Sequence, residues 1–493
     1  MGDRSYIAVD LGAGSGRVIL GNFSGSELDL REVHRFENGP MDLAGTLRWD
    51  IHRLFAEIKI GIGKAVMSSG GEVRGIGVDA WGVDYGLLDS DGALLSQPFN
   101  YRDSRTETMI EAAFERVPRA KIFEATGIQF MTLNSLFQLL SAVIDKTQPL
   151  GRASTLLFIP DLINYFLTGE RANERTVAST SQCYNPRTRD WAREMLDALG
   201  IPVEKFAPLV DPGTTLGLLR SDVAEVTGAG DVPVLAVGSH DTASAVAAVP
   251  ASGGEFAYLS SGTWSLLGLE TQAPVINEQA LDLNFTNEVG VCDTIRLLKN
   301  INGLWILQET RRIWAEGGRE MTYGEMMSEA AKAKPFTAVV DVDHADFMGP
   351  GDMEARIRAR AEESGQPSPE TRGEVLRSIF ESLALKYRWV LERADDLQGR
   401  DSDVLHIVGG GTQNRLLNQF AANAVRRPVV VGPVEATAAG NVISQMMATG
   451  DLASLEEGRA LVRNSFETET YEPADPEAWD DAYERLADLN VGC

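Results

Sequence analysis

Two short stretches constrain the fold of this chain more than any other feature. Tyr6–Asp10 is a brief apolar run that ends in a Gly/Ser turn, Gly12–Gly16, and resumes as Arg17–Phe23. Glu255–Glu270, sequence EFAYLSSGTWSLLGLE, repeats the pattern of strand, small-residue turn and strand. Each reads as a β-hairpin, because apolar segments flanking a glycine-rich turn favour antiparallel pairing. The two share pattern and few residues. One hairpin opening each half predicts two related domains, 1–245 and 246–493. A chain of 493 residues accommodates them at about 100–200 residues per domain.

Between the hairpins and after them, strands alternate with helical periodicity. Ile51–Val66 reads as a helix and Val73–Val78 as a strand, and Arg105–Val117 and Leu136–Asp145 read as helices. Val232–Ser239 is a strand running into His240-Asp241-Thr242, with a helix opening at Ala243. In the second half Pro369–Leu397 holds a long amphipathic helix, followed by a strand at Val404–Val408. A helix at Asn414–Ala424, a strand at Pro428–Val431 and a helix near Pro476–Leu486 complete the chain. Alternation of this kind specifies an α/β architecture.

Charge narrows the partners. Lys and Arg number 45 against 71 Asp and Glu, a formal charge of −26, which disfavours a nucleic-acid partner and an anionic membrane surface. A phosphorylated ligand stays open, since a local cluster of backbone N–H groups binds phosphate inside a negative protein. The most apolar stretch, Leu156–Leu167, is broken by Pro160, Asp161 and Asn164 and is too short to span a bilayer. Cys183, Cys292 and Cys493 lie far apart without a CxxC pair, which reads as a cytoplasmic, reducing setting. The five histidines show no HxH or HExxH spacing, so no protein-only metal site is expected.

Four places carry residues suited to chemistry. Asp10-Leu11-Gly12-Ala13-Gly14-Ser15-Gly16-Arg17 combines glycines that allow close backbone approach with a hydroxyl and a cation, and Asp10 is placed to hold Mg²⁺ through water. Arg17 stands where a dinucleotide fingerprint needs its third glycine, and the Lys-Ser/Thr of a P-loop is missing. A plain hairpin turn accounts for the stretch equally well. Gly409-Gly410-Gly411 after a strand serve no packing purpose that alanine would not, which suits close approach of a planar or bulky group, or a tight turn alone. Asp241 at a strand's carboxyl end is placed as a general base or as a helix cap. Asp79–Asp84 and Tyr101–Arg105 mix Trp and Tyr faces with carboxylates and Arg, which suits a polyhydroxylated ligand or simple ion pairing.

Taken in order, these segments resemble the FGGY family of carbohydrate kinases. The matching segments are VDLGAGSGRVIL (9–20), WGVDYGLLD (81–89), YRDSRT (101–106), GIQFMTLNSLFQL (127–139), SHDTASAV (239–246), YLSSGTWSLLG (258–268), LKNINGLWILQE (298–309), HIVGGGTQN (406–414) and GPVEATAAGN (432–441). Met131, Thr132 and Asn100 depart from the family's pattern on the sugar side. The resemblance implies two actin-like, ribonuclease-H-like domains with an active-site cleft between them. It implies that Ala13, Gly14, Ser15, Gly16 and Arg17 form a first phosphate loop and that Thr263 belongs to a second. Gly410 then lies against adenosine and Gln308 near the nucleotide. Asp241 matches the catalytic base, and Gly82, His240, Thr242 and Asn300 match sugar-contacting positions. ATP as donor, Mg²⁺ as its ion and a small sugar as acceptor follow from the same resemblance. Family members acting on other ketoses or polyols share every nucleotide motif. A non-kinase actin-like protein, such as a nucleotide-gated chaperone or filament protein, would lack an aspartate at position 241, and the polar clusters at 79–84 and 101–105 speak against it.

Overall fold

A computed structural model of the chain describes residues 4–70, 72–253 and 255–489. Cys493 lies outside the described residues. In chain order the elements that frame the functional residues are β1 (Arg4–Leu11), β2 (Ser15–Phe23), β3 (Leu28–Glu37), α1 (Ile51–Ser68), β4 (Val73–Ala80), β5 (Thr215–Leu218), β6 (Pro233–Leu235), α2 (Asp241–Ala247), β7 (Phe256–Ser261), β8 (Ser265–Thr271), α3 (Arg372–Gln398), β9 (Val404–Val408), α4 (Arg415–Val425), β10 (Val429–Val431), α5 (Ala436–Ala448) and β11 (Glu469–Tyr471). Two compact units result. Unit 1 comprises Met1–Ser252, Thr271–Leu297 and Glu435–Phe466, and unit 2 comprises Gly253–Glu270, Leu298–Val434 and Glu467–Cys493.

Unit 1 is built on a sheet ordered β5-β6-β4-β1-β2-β3. β1 pairs antiparallel with β2 and parallel with β4, and β4 pairs parallel with β6. β1 is buried along almost its whole length, as an apolar strand covered on both faces must be. On one face lies α1, whose buried Ile51, Leu54, Ile58, Ile62 and Ala65 recur at helical spacing. On the same sheet, α5 turns polar atoms inward: Gln445 Nε2 donates to the Ile7 carbonyl at 3.0 Å, and Asn441 Nδ2 donates to Asp79 Oδ2 at 2.6 Å.

In unit 2 the strands run β8-β7-β9-β10-β11, with β7 antiparallel to β8 and parallel to β9, and β9 parallel to β10. The hairpin-then-parallel order is that of β2-β1-β4-β6. The two halves are therefore topological relatives, as the paired hairpins implied, and the α/β reading holds. The long helix α3 begins with a capping box, Thr371 with Glu374, and ends at Gly399 in the left-handed region.

Three local expectations change. The helix expected over Arg105–Val117 is reduced to a 3₁₀ turn, Ser104–Thr106, and a short α-helix, Met109–Phe114. Asp103 accepts from the Arg105 N–H and the Arg105 guanidinium lies 3.8 Å from the Phe99 ring centroid, which holds the chain in a turn there. The strand at 232–239 is regular only over Pro233–Leu235, with single backbone bonds continuing the pairing beyond it, and α2 opens at Asp241 instead of Ala243. Among the described residues no helix is long and apolar enough to cross a membrane.

α2 is fixed by one close crossing. A Cβ at Gly440 of α5 would stand 1.7 Å from the Ser244 carbonyl oxygen of α2. Gly440→Ala should force the two helices apart and destabilise the protein by about 1–3 kcal/mol or more, read as a lowered melting midpoint.

Candidate active site

The register of unit 1 brings three carboxylates together. Asp10 and Asp79 are direct neighbours on the parallel strands β1 and β4. Beyond β6 the chain continues to Ser239, whose carbonyl accepts the Ala80 N–H at 2.9 Å, and Asp241 follows as the first residue of α2. All three lie at carboxyl ends of parallel segments, where open α/β sheets bind ligands. Asp79 is fully buried, and Asp10 nearly so. Burial pushes the Asp79 carboxyl well above the usual range, and the nearby charges of Asp10 and Asp241 push the same way against the Asn441 hydrogen bond. Asp79 Oδ1 has no partner. Burial also raises Asp241, with Asp10 adding to the shift and His240 opposing it.

Asp241 does not cap α2. The N-cap is His240, with no side-chain capping bond, and Asp241 Oδ1 instead accepts from the Thr242 hydroxyl at 3.0 Å. The carboxylate stays about one-third exposed (31%). His240 is held from behind: Nδ1 lies 3.0 Å from Arg296 Nη2 and 3.3 Å from Glu288 Oε2, which leaves Nε2 3.4 Å from Asp241 Oδ1. Arg296 is wholly buried and pairs with Glu288 at 3.1 Å. Sequence reasoning missed Glu288 and Arg296, which belong to no motif and lie far from 240 in the chain.

The clusters at 79–84 and 101–105 meet on Asp84. Its Oδ2 accepts from the indoles of Trp49 (2.6 Å) and Trp81 (3.0 Å) and from the Tyr101 N–H (3.2 Å), while Oδ1 accepts from Gln138 Nε2 at 2.9 Å. Burial lifts its pKa to about 6, and the Gln138 and indole donors restrain the rise. The Trp49 and Trp81 rings stack 4.2 Å apart. Gly82 sits within this frame, followed by Val83 at φ +66°, an uncommon conformation for a β-branched residue. The Thr180 hydroxyl accepts the Val83 N–H at 3.1 Å, and the Ser135 hydroxyl donates to the Val83 carbonyl. A strained turn fixed this thoroughly offers a rigid edge to a ligand. Ion pairing persists at its margin, between Arg105 and Asp103.

At the first Gly/Ser turn, the Gly12 N–H bonds the Ser15 carbonyl at 2.9 Å, and Asn38 ties down the carbonyls of Gly12 and Gly14. Ser15, Gly16 and Arg17 belong to β2, and Arg17 is held between Asp10 and Glu435. Two glycines of this turn do different work. A Cβ on Gly16 would stand 2.2 Å from Phe36, so Gly16 makes room for the ring, whereas a Cβ on Gly14 would meet nothing.

The same division appears in unit 2. Gly409 has φ +88°, and a Cβ on Gly411 would stand 2.0 Å from Ser261 Oγ, so both serve the fold. The expectation that none of the three glycines has a packing role is corrected. Gly410 alone faces open space. Thr263, in the β7–β8 turn, donates its hydroxyl to Gln308 Oε1 at 3.2 Å, and its carbonyl accepts the Trp305 N–H at 3.1 Å. The structure thus gathers Thr263 and Gln308 at the end of β7, with Gly409–Gly411 packed on Ser261 of the same strand. Asn300 lies on the strand Ile295–Ile301. Among the described residues no group of three or more His, Cys, Asp and Glu side chains is arranged to hold a metal ion.

Residues 5–248 match the N-terminal domain model of the FGGY family of carbohydrate kinases, and residues 257–449 match its C-terminal domain model. A rhamnulokinase of Bacteroides thetaiotaomicron is 48% identical over 480 residues, covering 97% of this chain and 98% of that protein. One from Bacillus subtilis is 37% identical, covering 95% and 96%. Among solved structures, a gluconate kinase from Lactobacillus acidophilus superposes with a TM-score of 0.81 at 17% identity, covering 99% of this chain and 98% of that one. A Plasmodium falciparum glycerol kinase with ADP gives 0.78 at 16%, covering 99% and 98%. At such identities these structures show the shared fold.

Gly14→Val should leave stability within about 0.5 kcal/mol of the parent but weaken nucleotide binding about tenfold or more. Gly16→Val should instead cost about 1–3 kcal/mol of stability through its collision with Phe36. Melting curves and nucleotide titrations of both variants check this. Unchanged binding in Gly14→Val would remove the turn from the site.

Proposed function

The chain belongs to the FGGY family of carbohydrate kinases, a family of sugar phosphotransferases, and from that premise we propose that it transfers the γ-phosphoryl group of ATP to the 1-hydroxyl of L-rhamnulose. The observation that carries the chemistry is Asp241: a carboxylate partly open to solvent, raised in pKa, at the start of a helix it does not cap. The sugar follows from the named relatives, which cover nearly the whole chain at 37–48% identity.

In this reading Asp241 accepts the proton of the sugar hydroxyl as its oxygen attacks the γ-phosphorus in line. The new O–P bond forms while the bond to the leaving ADP oxygen breaks. His240, Thr242, Gly82 and Asn300 orient the sugar. Holding the hydroxyl against the base supplies much of the rate. Backbone N–H groups of the Ala13–Arg17 stretch and the Thr263 turn receive the phosphates, Gly410 admits the adenosine, and Gln308 orients the Thr263 hydroxyl.

The carboxyl donors of unit 1 fit a magnesium ion carried in with the nucleotide. Such an ion usually keeps several waters and takes one or two carboxylates beside the phosphate oxygens, and here Asp10 adjoins the unpaired Asp79 Oδ1. Asp10 would hold it through water; when bound, the ion neutralises charge on the phosphate oxygens. The two domains are taken as 1–245 and 246–493, and the three widely spaced cysteines favour a reducing, cytoplasmic setting. Kinases of this family for fuculose, xylulose or glycerol remain the competing reading, which a panel of ketoses and polyols in an ADP-release assay resolves. Highest kcat/KM on a sugar other than L-rhamnulose would overturn the substrate while leaving the chemistry intact.

Asp241→Asn should lower kcat about 10²–10⁴-fold with little change in melting temperature, because no cap is lost. A variant turning over at the parent rate would remove Asp241 from the mechanism. Only the ionised base is active, so kcat/KM should fall as pH drops through the Asp241 pKa. Because burial raises that pKa, the acid limb should lie above about pH 4, the ordinary aspartate value, and vanish in Asp241→Asn.

A further inference from the structure

Glu174 is a wholly buried carboxylate that the mechanism leaves unused. It precedes the short helix Arg175–Ser179 and caps it, with Oε1 accepting from the Thr176 N–H at 2.7 Å and Oε2 from the Val177 N–H at 3.2 Å. Capping alone would satisfy it, yet Oε2 also accepts from the Thr176 hydroxyl and from the Ser239 N–H at 3.1 Å. The Thr176 hydroxyl, which donates its hydrogen bond to Glu174, accepts the His240 N–H at 3.1 Å. Both peptide N–H groups immediately ahead of Asp241 therefore end on one carboxylate, one directly and one through a hydroxyl. Burial lifts Glu174 to about 7, while donors from Thr176, Val177 and Ser239 hold it down. Asp161 stands behind it, accepting the Glu174 N–H at 3.2 Å, and is itself raised by burial and by Glu174.

We propose that Glu174 is a positioning residue for Asp241: through Ser239 and the Thr176–His240 link it fixes the peptide that aims the catalytic carboxylate. The inference rests on the reading of Asp241 as the base. An ionised acceptor at this point accounts for the geometry. Four donors converge on two oxygens, which a carboxylate satisfies and an amide cannot, since an amide presents one acceptor oxygen and two N–H donors. Where one residue ties a loop to a helix by charge-assisted bonds, losing it lets the loop shift, and a displacement on the scale of an ångström costs a reaction heavily.

The test is a cycle of Glu174→Gln, Asp241→Asn and the double variant, with kcat, both KM values and melting temperature measured on each. Glu174→Gln should lower kcat about 10–100-fold while the KM for ATP stays within about twofold. On the Asp241→Asn background the same change should cost no more than about twofold, because a residue acting through Asp241 has nothing left to position. Full multiplication of the two losses would overturn the inference and leave Asp241 in place. A Glu174→Gln enzyme that melts lower but turns over at the parent rate would overturn it as well. An Asp241→Asn enzyme at the parent rate would end the general-base reading and this one with it. If Glu174→Gln does not fold, Thr176→Ala carries the decision: a reduced kcat restored by Thr176→Ser supports the link, and an unchanged kcat overturns it.

Discussion

Burying Asp79 is the constraint around which unit 1 is arranged. A carboxylate taken fully out of water is costly unless donors reach it, and here the reach comes from one amide, Asn441, on a helix more than three hundred residues away in sequence. That bond requires α5 to lie on β4, and α5 in turn grips α2 at Gly440 and Ser244. The helix that begins with Asp241 is thus positioned by the same contacts that desolvate Asp79. Asp10 completes the set, with Arg17 and Glu435 distributing its charge. Elevated carboxyl pKa values at this spot follow from burial of like charges and need no separate cause.

The contrast among the glycines makes the same point from the opposite direction. Gly16, Gly409 and Gly411 answer to Phe36, a left-handed turn and Ser261. Each is a demand of the fold. Gly14 and Gly410 face open space, where a Cβ would meet nothing in the protein. A glycine cluster in sequence mixes both kinds, and only the neighbours in space separate them.

Local order was legible from the chain itself: the two hairpins, β9 to the residue, and the extents of α3 and α4 within a few positions. Each depends on periodicity or turn chemistry within a few consecutive residues. The failures were non-local. Arg105 left its expected helix because Phe99 and Gln138 draw its guanidinium away. In sequence Asp241 reads equally as base or cap, because the cap position depends on where α2 starts, and the bonds that hold Ser239 and His240 come from Glu174 and Thr176, far away in the chain. Glu174, Glu288 and Arg296 had no signal, since an isolated acid or arginine in a sequence says nothing of the histidine or loop it will meet. The family resemblance supplied the residue roles that spacing alone left open.

Two topologically related sheets nevertheless differ in charge, and the difference lies at matching strand ends. Where β1 and β4 align, the paired positions are Asp10 and Asp79. Where β7 and β9 align, the corresponding ends carry Ser260 beside Val408, followed by Gly409. Carboxylates at the first place create a buried acidic site that raises a neighbouring aspartate. Uncharged residues at the second carry no carboxylate, and Gly410 beyond them faces open space. One strand arrangement can carry an acidic end in one unit and an uncharged end in the other because only the strand-end residues differ. The hydrogen-bonded frame beneath them, hairpin and then parallel strands, is common to both.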